Sequence, residues 1–286
     1  MLKIMTKIKY LFFFISFIGM HSAFGEDKGV IYQKMDTIIF HRYIHSMESK
    51  KQSAVGDLVI QTAVYLMDAP YAAKTLEVCG KNERLVVNLR QFDCVTLVES
   101  CLALVHTLKS KEPSFETYCN ELRDIRYRNG VVNDYSSRLH YFTEWIANNE
   151  TKAKVINLTP GFGGKSMPLT LDFMSHNPGM YSQMSNPEIN SEMKAVEKNI
   201  SNRMYFYIPK NVPVNSKIRN GDILCLTSKV PGIGISHVGI AFRLGGVLYL
   251  LHASETGQKV EISPEPFAKY ISQLGNITGY MVVRPL

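Results

Sequence analysis

No block of consecutive lysines and arginines, no zinc-finger spacing and no aromatic RNA-binding motif occurs in the 286 residues, so nothing marks the chain as a nucleic-acid binder. No H-E-x-x-H or comparable close ligand pair occurs either, which removes the most recognisable signature of a catalytic metal. Internal repeats and low-complexity tracts are absent. Beyond residue 25 there is no second long apolar run, so no membrane span is expected there. Cysteine is scarce and odd in number: with five, one thiol stays unpaired even if all the others are bridged.

What is present begins with MLKIMTKIKYLFFFISFIGMHSAFG, residues 1–25. Lys3, Lys7 and Lys9 precede an apolar run from Tyr10 to Met20, and small residues surround Ala23-Phe24-Gly25. This pattern predicts a secretory signal cleaved before Glu26. No cysteine lies near that point, so lipid attachment is not expected, nor stable membrane insertion after cleavage. The expected mature protein is exported, to the periplasm or beyond. Losing the three lysines and no acid lowers the formal net charge from +7 to +4, a mild basicity that suits an anionic polymer such as a cell wall.

In RQFDCVTLVESCLALVHTL, residues 90–108, Cys94, Leu97, Val98, Cys101, Val105 and Leu108 recur at spacings of three and four. That predicts a helix whose apolar face starts at Cys94, with Asp93 as its N-cap. A thiol in a first helical turn sits near unpaired N–H groups and the positive end of the helix dipole, where its ionised form is favoured. The same thiol also suits the role of a small buried hydrophobe. Cys94 and Cys101 lie about two turns apart and cannot bridge each other. Cys225, within DILCLT, reads as a buried strand thiol, and the pairing of Cys79 and Cys119 stays open.

Helices are expected over 33–48, 57–67, 114–127, 139–149 and 187–200, with a short strand at 83–90 ahead of the Cys94 helix. Residues 151–186, rich in Gly, Pro, Ser and Met, read as irregular loop. A strand at 204–208 follows. The last third, with GDILCLTS, SHVGIAFRLGG, VLYLLHASE and KVEIS, reads as an antiparallel meander, closed by a helix near 265–273 and the strand YMVVR. Helices first and strands later argue for an α+β fold. The expected organisation is one domain over 26–286, with a helical N-terminal portion and a loop-rich insertion around 151–203.

Alternation in SHVGIAF places His237, Gly239 and Ala241 on one strand face, and small residues there let another element approach closely. The expected visitor is the start of the Cys94 helix. His252 follows on the next strand, after a Gly-Gly turn. Thiol, base imidazole and orienting imidazole make a nucleophilic set that needs no cofactor and no metal.

The ordered blocks APYAAKTLE, LVVNLRQFDCVTLVE, SRLHYFTEWI, NGDILCL, SHVGIAF, LLHASE and MVVRP resemble the NlpC-type branch of papain-like cysteine peptidases. They are closer still to its N-acetylmuramoyl-L-alanine amidase-like family. The resemblance runs from about residue 69 to the C-terminus and implies a papain-like fold with the Cys94 helix on an antiparallel sheet. It implies Cys94 as nucleophile, His237 as general base and His252 as orienter. Peptidoglycan or muropeptide fragments are the implied partners, cut at the amide between N-acetylmuramic acid and L-alanine. Tyr71 matches a tyrosine bordering the cleft in related enzymes. Asp93, Arg138, His140 and Ser236 are further candidates for substrate contact. Many relatives read Asp-Cys-Ser-Gly at the nucleophile, whereas Val95 and Thr96 follow Cys94 here. A γ-D-glutamyl-diamino acid endopeptidase, an acyl transferase using the same thioester chemistry, a zinc hydrolase and a non-catalytic wall-binding module remain as alternatives.

Overall fold

The computed structural model describes the backbone of residues 24–27, and residues 29–78, 80 and 82–286 in full. Residues 1–23 of the segment expected as a secretory signal (1–25), and Cys79 with its pairing, lie outside the described residues. Strands β1 (Phe24–Asp27) and β2 (Val30–Gln33) lead into helices α1 (Lys34–Met47) and α2 (Val55–Tyr65). The short strand β3 (Leu85–Val86) precedes α3 (Cys94–Lys109), α4 (Phe115–Arg126) and α5 (Phe142–Thr151). Next come β4 (Val155–Asn157), β5 (Lys165–Met167), α6 (Phe173–His176), α7 (Pro187–Ser201) and β6 (Tyr205–Pro209). The last third carries β7 (Ile223–Ser228), β8 (Ile235–Leu244), β9 (Val247–Ser254), β10 (Lys259–Ile262), α8 (Phe267–Gln273) and β11 (Ile277–Pro285). Eight α-helices and a large antiparallel sheet, ordered β10-β9-β8-β7-β11-β6-β5, make this a mixed α/β fold among the described residues. No helix among them is long and apolar enough to cross a membrane.

The strand expected over 83–90 contracts to two ladder residues: Val87 N–H makes the last bond to β2, at Ile31 O, and beyond it Leu89 donates to the buried carboxylate of Asp36 at 2.8 Å. The stretch expected as loop contains β4 and β5, which pair with β11 and β6. Three-residue strands are too short to show a period of two.

Sequence periodicity points to one apolar face on α3, but the helix is enclosed nearly all round: Leu97, Val98, Leu102, Leu104 and Val105 are all fully buried. Each such side chain is worth about 1.5–3 kcal/mol when removed from water. Helices α1, α2 and α4 cover one side, and the other packs on Cys225, Val238, Ile240, Leu251 and Ala253 of β7, β8 and β9. On the opposite sheet face Leu224, Leu226, Ala241, Leu248 and Leu250 meet Phe267 and Ile271 of α8 together with Tyr280. The chain between α5 and β6 builds a core of its own, in which Leu171, Met174, Met184, Met193 and Ile200 gather around Tyr141. Buried Glu197 accepts from Tyr141 Oη at 2.6 Å and from Ser175 N at 3.0 Å inside it.

Glu99 is the one carboxylate inside α3, and it meets Arg126 of α4 at 2.7 Å with both side chains almost wholly buried. Arg126 also donates to Val86 O at 2.6 Å, which ties β3 to α4. Breaking one half of such a pair strands the other charge in a medium that solvates it poorly. Glu99→Ala should therefore cost about 3–5 kcal/mol in urea unfolding, while the double exchange Glu99→Met/Arg126→Met should recover most of that loss. Equal destabilisation by both variants would show that the pair adds net stability beyond mutual neutralisation.

Candidate active site

Asp93 caps α3 as the sequence predicts. Its Oδ1 accepts the Thr96 N–H at 2.8 Å and the Thr96 hydroxyl at 2.9 Å, while its own N–H donates to Thr96 Oγ1 at 2.9 Å. This reciprocal box satisfies first-turn donors and fixes where Cys94 starts. Cys94 is half-buried as a residue, yet its thiol is enclosed, and the backbone N–H of Val238 in β8 donates toward it. The nucleophile candidate from the helical half is thereby joined to the residue next to His237.

His237 and His252 lie on neighbouring antiparallel strands, paired from Ile240↔Leu251 to Leu244↔Val247. Their rings meet edge-on at 88°, with His237 Nε2 and His252 Nδ1 2.7 Å apart. This contact occupies one nitrogen of each ring and leaves His237 Nδ1 for another partner. Ser236 is exposed and sits where the β7–β8 register slips between Leu226↔His237 and Thr227↔Ile235, so it is the extra residue of a bulge.

The face read as an open landing for α3 has a different neighbour. Helix α3 packs on Val238 and Ile240, whereas Ala241 belongs to the core under α8. A Cβ on Gly239 would lie 2.7 Å from Leu250 Cδ1, 2.8 Å from Leu251 O and 2.9 Å from His252 Cβ. The missing side chain thus serves the approach of β9 and His252, not of the helix. Neighbouring strands are closer than a helix can come to a sheet, and alternation alone does not say which of them needs the space.

The electrostatic expectation for Cys94 also changes sign. Burial pushes the thiol up to about 12, the Asp93 carboxylate adds to the rise, and the N–H groups of Val238, Val95 and Cys94 act against it. Terminal dipole effects of about 0.3–1 kcal/mol are small beside desolvation, at about 1.4 kcal/mol for each pKa unit. Burial likewise lowers His237 to about 3, with His252 adding to the shift, and lowers His252 to about 4. Both imidazoles and the thiol are therefore neutral in the resting protein at neutral pH. His252 Nε2 is buried with no hydrogen-bond partner among the described residues, although the Tyr270 ring lies 5.6 Å from the His252 ring.

Tyr71 reaches this group from 23 positions upstream. Its strand-like contact with Phe92, and that of Pro70 with Lys259, bring residues 70–72 alongside the Cys94 turn. Burial raises its phenol to about 12, with Glu255, Cys94 and Asp93 adding in that order. Arg138 and His140 are enclosed and bonded to other groups. Arg138 pairs with Glu77 at 2.7 Å and Glu83 at 2.8 Å, and His140 Nε2 donates to Tyr135 O at 2.7 Å. Sequence reasoning missed Glu255 beside Tyr71 and the Val238 N–H at the thiol. The first lies in a turn with no periodic signal, and the second is a backbone group that every residue possesses.

Among the described residues no cluster of three or more His, Cys, Asp or Glu could hold a metal ion. The geometry gathers instead a thiol, two coupled imidazoles and a phenol. Comparison with known proteins places the chain in an amidase-like class of hydrolases. Residues 61–277 match the AmiA-like family, described as N-acetylmuramoyl-L-alanine amidase-like, and the chain belongs to that family. An N-acetylmuramoyl-L-alanine amidase from Bacteroides uniformis is 35% identical, with a TM-score of 0.77 over 81% of this chain and 98% of that one. A Bacteroides fragilis structure described provisionally as a xylanase is 34% identical, with a TM-score of 0.75 over 78% and 99%. The Legionella pneumophila protein LPG0564, 18% identical, shares the fold with a TM-score of 0.65 over 88% and 94%. No match is found among curated proteins.

Two outcomes follow. With both groups neutral at rest, alkylation of Cys94 by iodoacetamide should rise about tenfold per unit between about pH 6 and about pH 9, since only the thiolate reacts. A rate independent of pH in that window, measured by mass spectrometry of the Cys94 peptide, would mean a preformed thiolate–imidazolium pair. Gly239→Ala should cost about 1–3 kcal/mol by overpacking and push His252 away from His237. Loss of the downfield N–H proton signal shared by the two rings would report the separation.

Proposed function

We propose that the chain is a cysteine-dependent cell-wall amidase of NlpC-type, papain-like architecture, in which Cys94 attacks and His237 and His252 manage the proton. The supporting observation is the 2.7 Å contact between His237 Nε2 and His252 Nδ1, together with a helix-start thiol whose ionised form the Val238 N–H, next to His237, favours. The family match and the Bacteroides uniformis amidase support the substrate, the amide between the lactyl group of N-acetylmuramic acid and L-alanine. The signal-like segment of residues 1–25 supports action outside the cytoplasm.

The neutral resting state sets the order of events. As the substrate carbonyl meets Cys94 Sγ, the thiol proton passes to His237 Nδ1, and the new C–S bond forms with the oxygen taking the negative charge. The Cys94 N–H, at a helix start, is the donor in place for that oxygen. His252 Nδ1 accepts the His237 Nε2 proton throughout and steadies the imidazolium. The C–N bond then breaks, His237 returns its proton to the leaving nitrogen of L-alanine, and a thioester remains. Water, deprotonated by His237, releases the sugar acid and frees the thiol.

The xylanase description of the Bacteroides fragilis relative raises a second reading, cleavage of a glycosidic bond. That chemistry requires two carboxyl groups about 5–9.5 Å apart across the scissile bond. Here Asp93 and Glu255 both lie near Tyr71, but Asp93 is held as a helix cap, and the site also carries a thiol and two imidazoles, which that chemistry does not use.

A defined disaccharide muropeptide should yield a peptide-free sugar and a stem peptide beginning with L-alanine, both resolved by mass. Cys94→Ala and His237→Ala should each lose turnover by about 10³-fold or more, and His252→Asn should retain part of it. Cys101→Ala should remain active. Sugar still carrying L-Ala-D-Glu would mean the endopeptidase reading, new reducing ends the glycosidase, and turnover by Cys94→Ala a mechanism that does not use the thiol.

A further inference from the structure

The segment that brings Tyr71 to the nucleophile continues into a cleft of about 340 Å³, walled by Lys74 and Glu77 on one side and by Met180, Tyr181, Ser182 and Ser185 on the other. Two separate attachments hold the far wall in place. Ser182 hydrogen-bonds Glu77, and the N–H groups of Asp172 and Phe173 donate to Gly232 O, five residues before His237. The subdomain between α5 and β6 therefore borders both the Tyr71 side and the His237 side of the site.

Charge in this cleft is unbalanced. Glu77 is already committed: burial works against its ionised form, but Arg138 and the Ser182 hydrogen bond outweigh this and hold its pKa below the usual value. Lys74 is exposed, and no ion pair or hydrogen bond joins its ammonium group to another described residue. Its backbone is also held at φ 60°, in the left-handed region that residues with side chains avoid, by a turn in which Glu77 N donates to Lys74 O. Strain of this kind persists where the surrounding structure over-determines the backbone, and it gathers at ligand-binding positions.

The reach is suitable. Lys74 lies three positions after Tyr71, at most about 11 Å of chain, and a lysine side chain adds further span. In a stem peptide whose second residue is γ-linked D-glutamate, the first free carboxylate lies one residue beyond L-alanine, about 7 Å from the scissile nitrogen. The sugar on the other side of the bond is uncharged once its lactyl carboxyl is tied up in the amide. A lone cation at this distance thus discriminates among peptides, not among sugars.

We propose that Lys74 is a specificity-determining residue that binds the free α-carboxylate of the second stem residue, and that the cleft between the Lys74–Glu77 turn and residues 178–185 is the subsite for an acidic stem peptide. This rests on the amidase reading for the orientation of the substrate. The Ser185 hydroxyl supplies a neutral hydrogen bond for the peptide backbone, Ser182, whose proton is spent on Glu77, can only accept one, and exposed Met180 adds an apolar rim.

Binding tests the subsite separately from turnover. Cys94→Ala and Cys94→Ala/Lys74→Met would be titrated by calorimetry with two muropeptides that differ only in whether that α-carboxylate is free or amidated. Cys94→Ala should bind the free acid about tenfold more tightly than the amide, the size expected of one charge-assisted hydrogen bond. Lys74→Met should abolish the preference and leave the affinity for the amide unchanged, and Lys74→Arg should restore it. Equal binding of acid and amide by Cys94→Ala, or an undiminished preference in the Lys74→Met variant, would overturn the assignment. Turnover by the wild-type chain is scored apart: if it cleaves neither muropeptide while the binding preference holds, the amidase reading fails and the subsite stands.

Discussion

The 2.7 Å contact between His237 and His252 depends on how closely two strands lie, and much of the molecule serves that closeness. Gly239 lets β9 approach until the His252 Cβ fills the volume where its own side chain would be. The bulge at Ser236 resets the strand just before His237, so the imidazole is delivered from an irregular start and held by a regular continuation. Below the sheet α3 rests on Val238 and Ile240, and above it α8 rests on Ala241 and Leu250. With both faces loaded, a slip of one residue would send every apolar side chain to the wrong layer, so register is strongly specified.

On the helical side, placement relies on buried charge. Asp36 takes N–H bonds from Gln33 and Leu89 and pairs with Arg90, which shapes the approach to the Cys94 turn. Glu99 with Arg126, and Arg138 with Glu77 and Glu83, fasten the chain segments before and after Cys94 to α4 and to the loop that follows it. Such pairs contribute little net free energy compared with apolar packing of the same volume, but each is costly to misplace. They favour one arrangement of the 70–90 segment over its alternatives, and that segment carries Tyr71 and Lys74.

Where a pattern was long enough to show its period, the sequence was informative. The α3, α4 and α7 helices and the β7 to β10 meander lie within a few residues of expectation, and Asp93 caps α3 through Thr96 as its position implies. The brief strands β4 and β5 were invisible, since each is recognisable only through its partner. The proximity of Tyr71 to Cys94 depends on single bridges to Phe92 and Lys259, contacts with no periodic trace. The state of the thiol was misread because the sequence shows the helix start but not the lid of strand above it. Burial, a property of the assembled molecule, outweighs the local dipole.

The order of strands in the large sheet carries a consequence for how the chain is made. Strand β11 is the latest of them in the sequence, yet it lies in the interior between β7 and β6 and also pairs with β4. In a chain emerging amino-end first, β7 through β10 can zip together as local hairpins while the outer edge of β7 stays open, an apolar ribbon of unpaired N–H and C=O groups. Until β11 arrives, that edge can recruit a strand from another molecule. The sheet is therefore closed to its neighbours only once the carboxy-terminal strand is in place, wherever the chain folds.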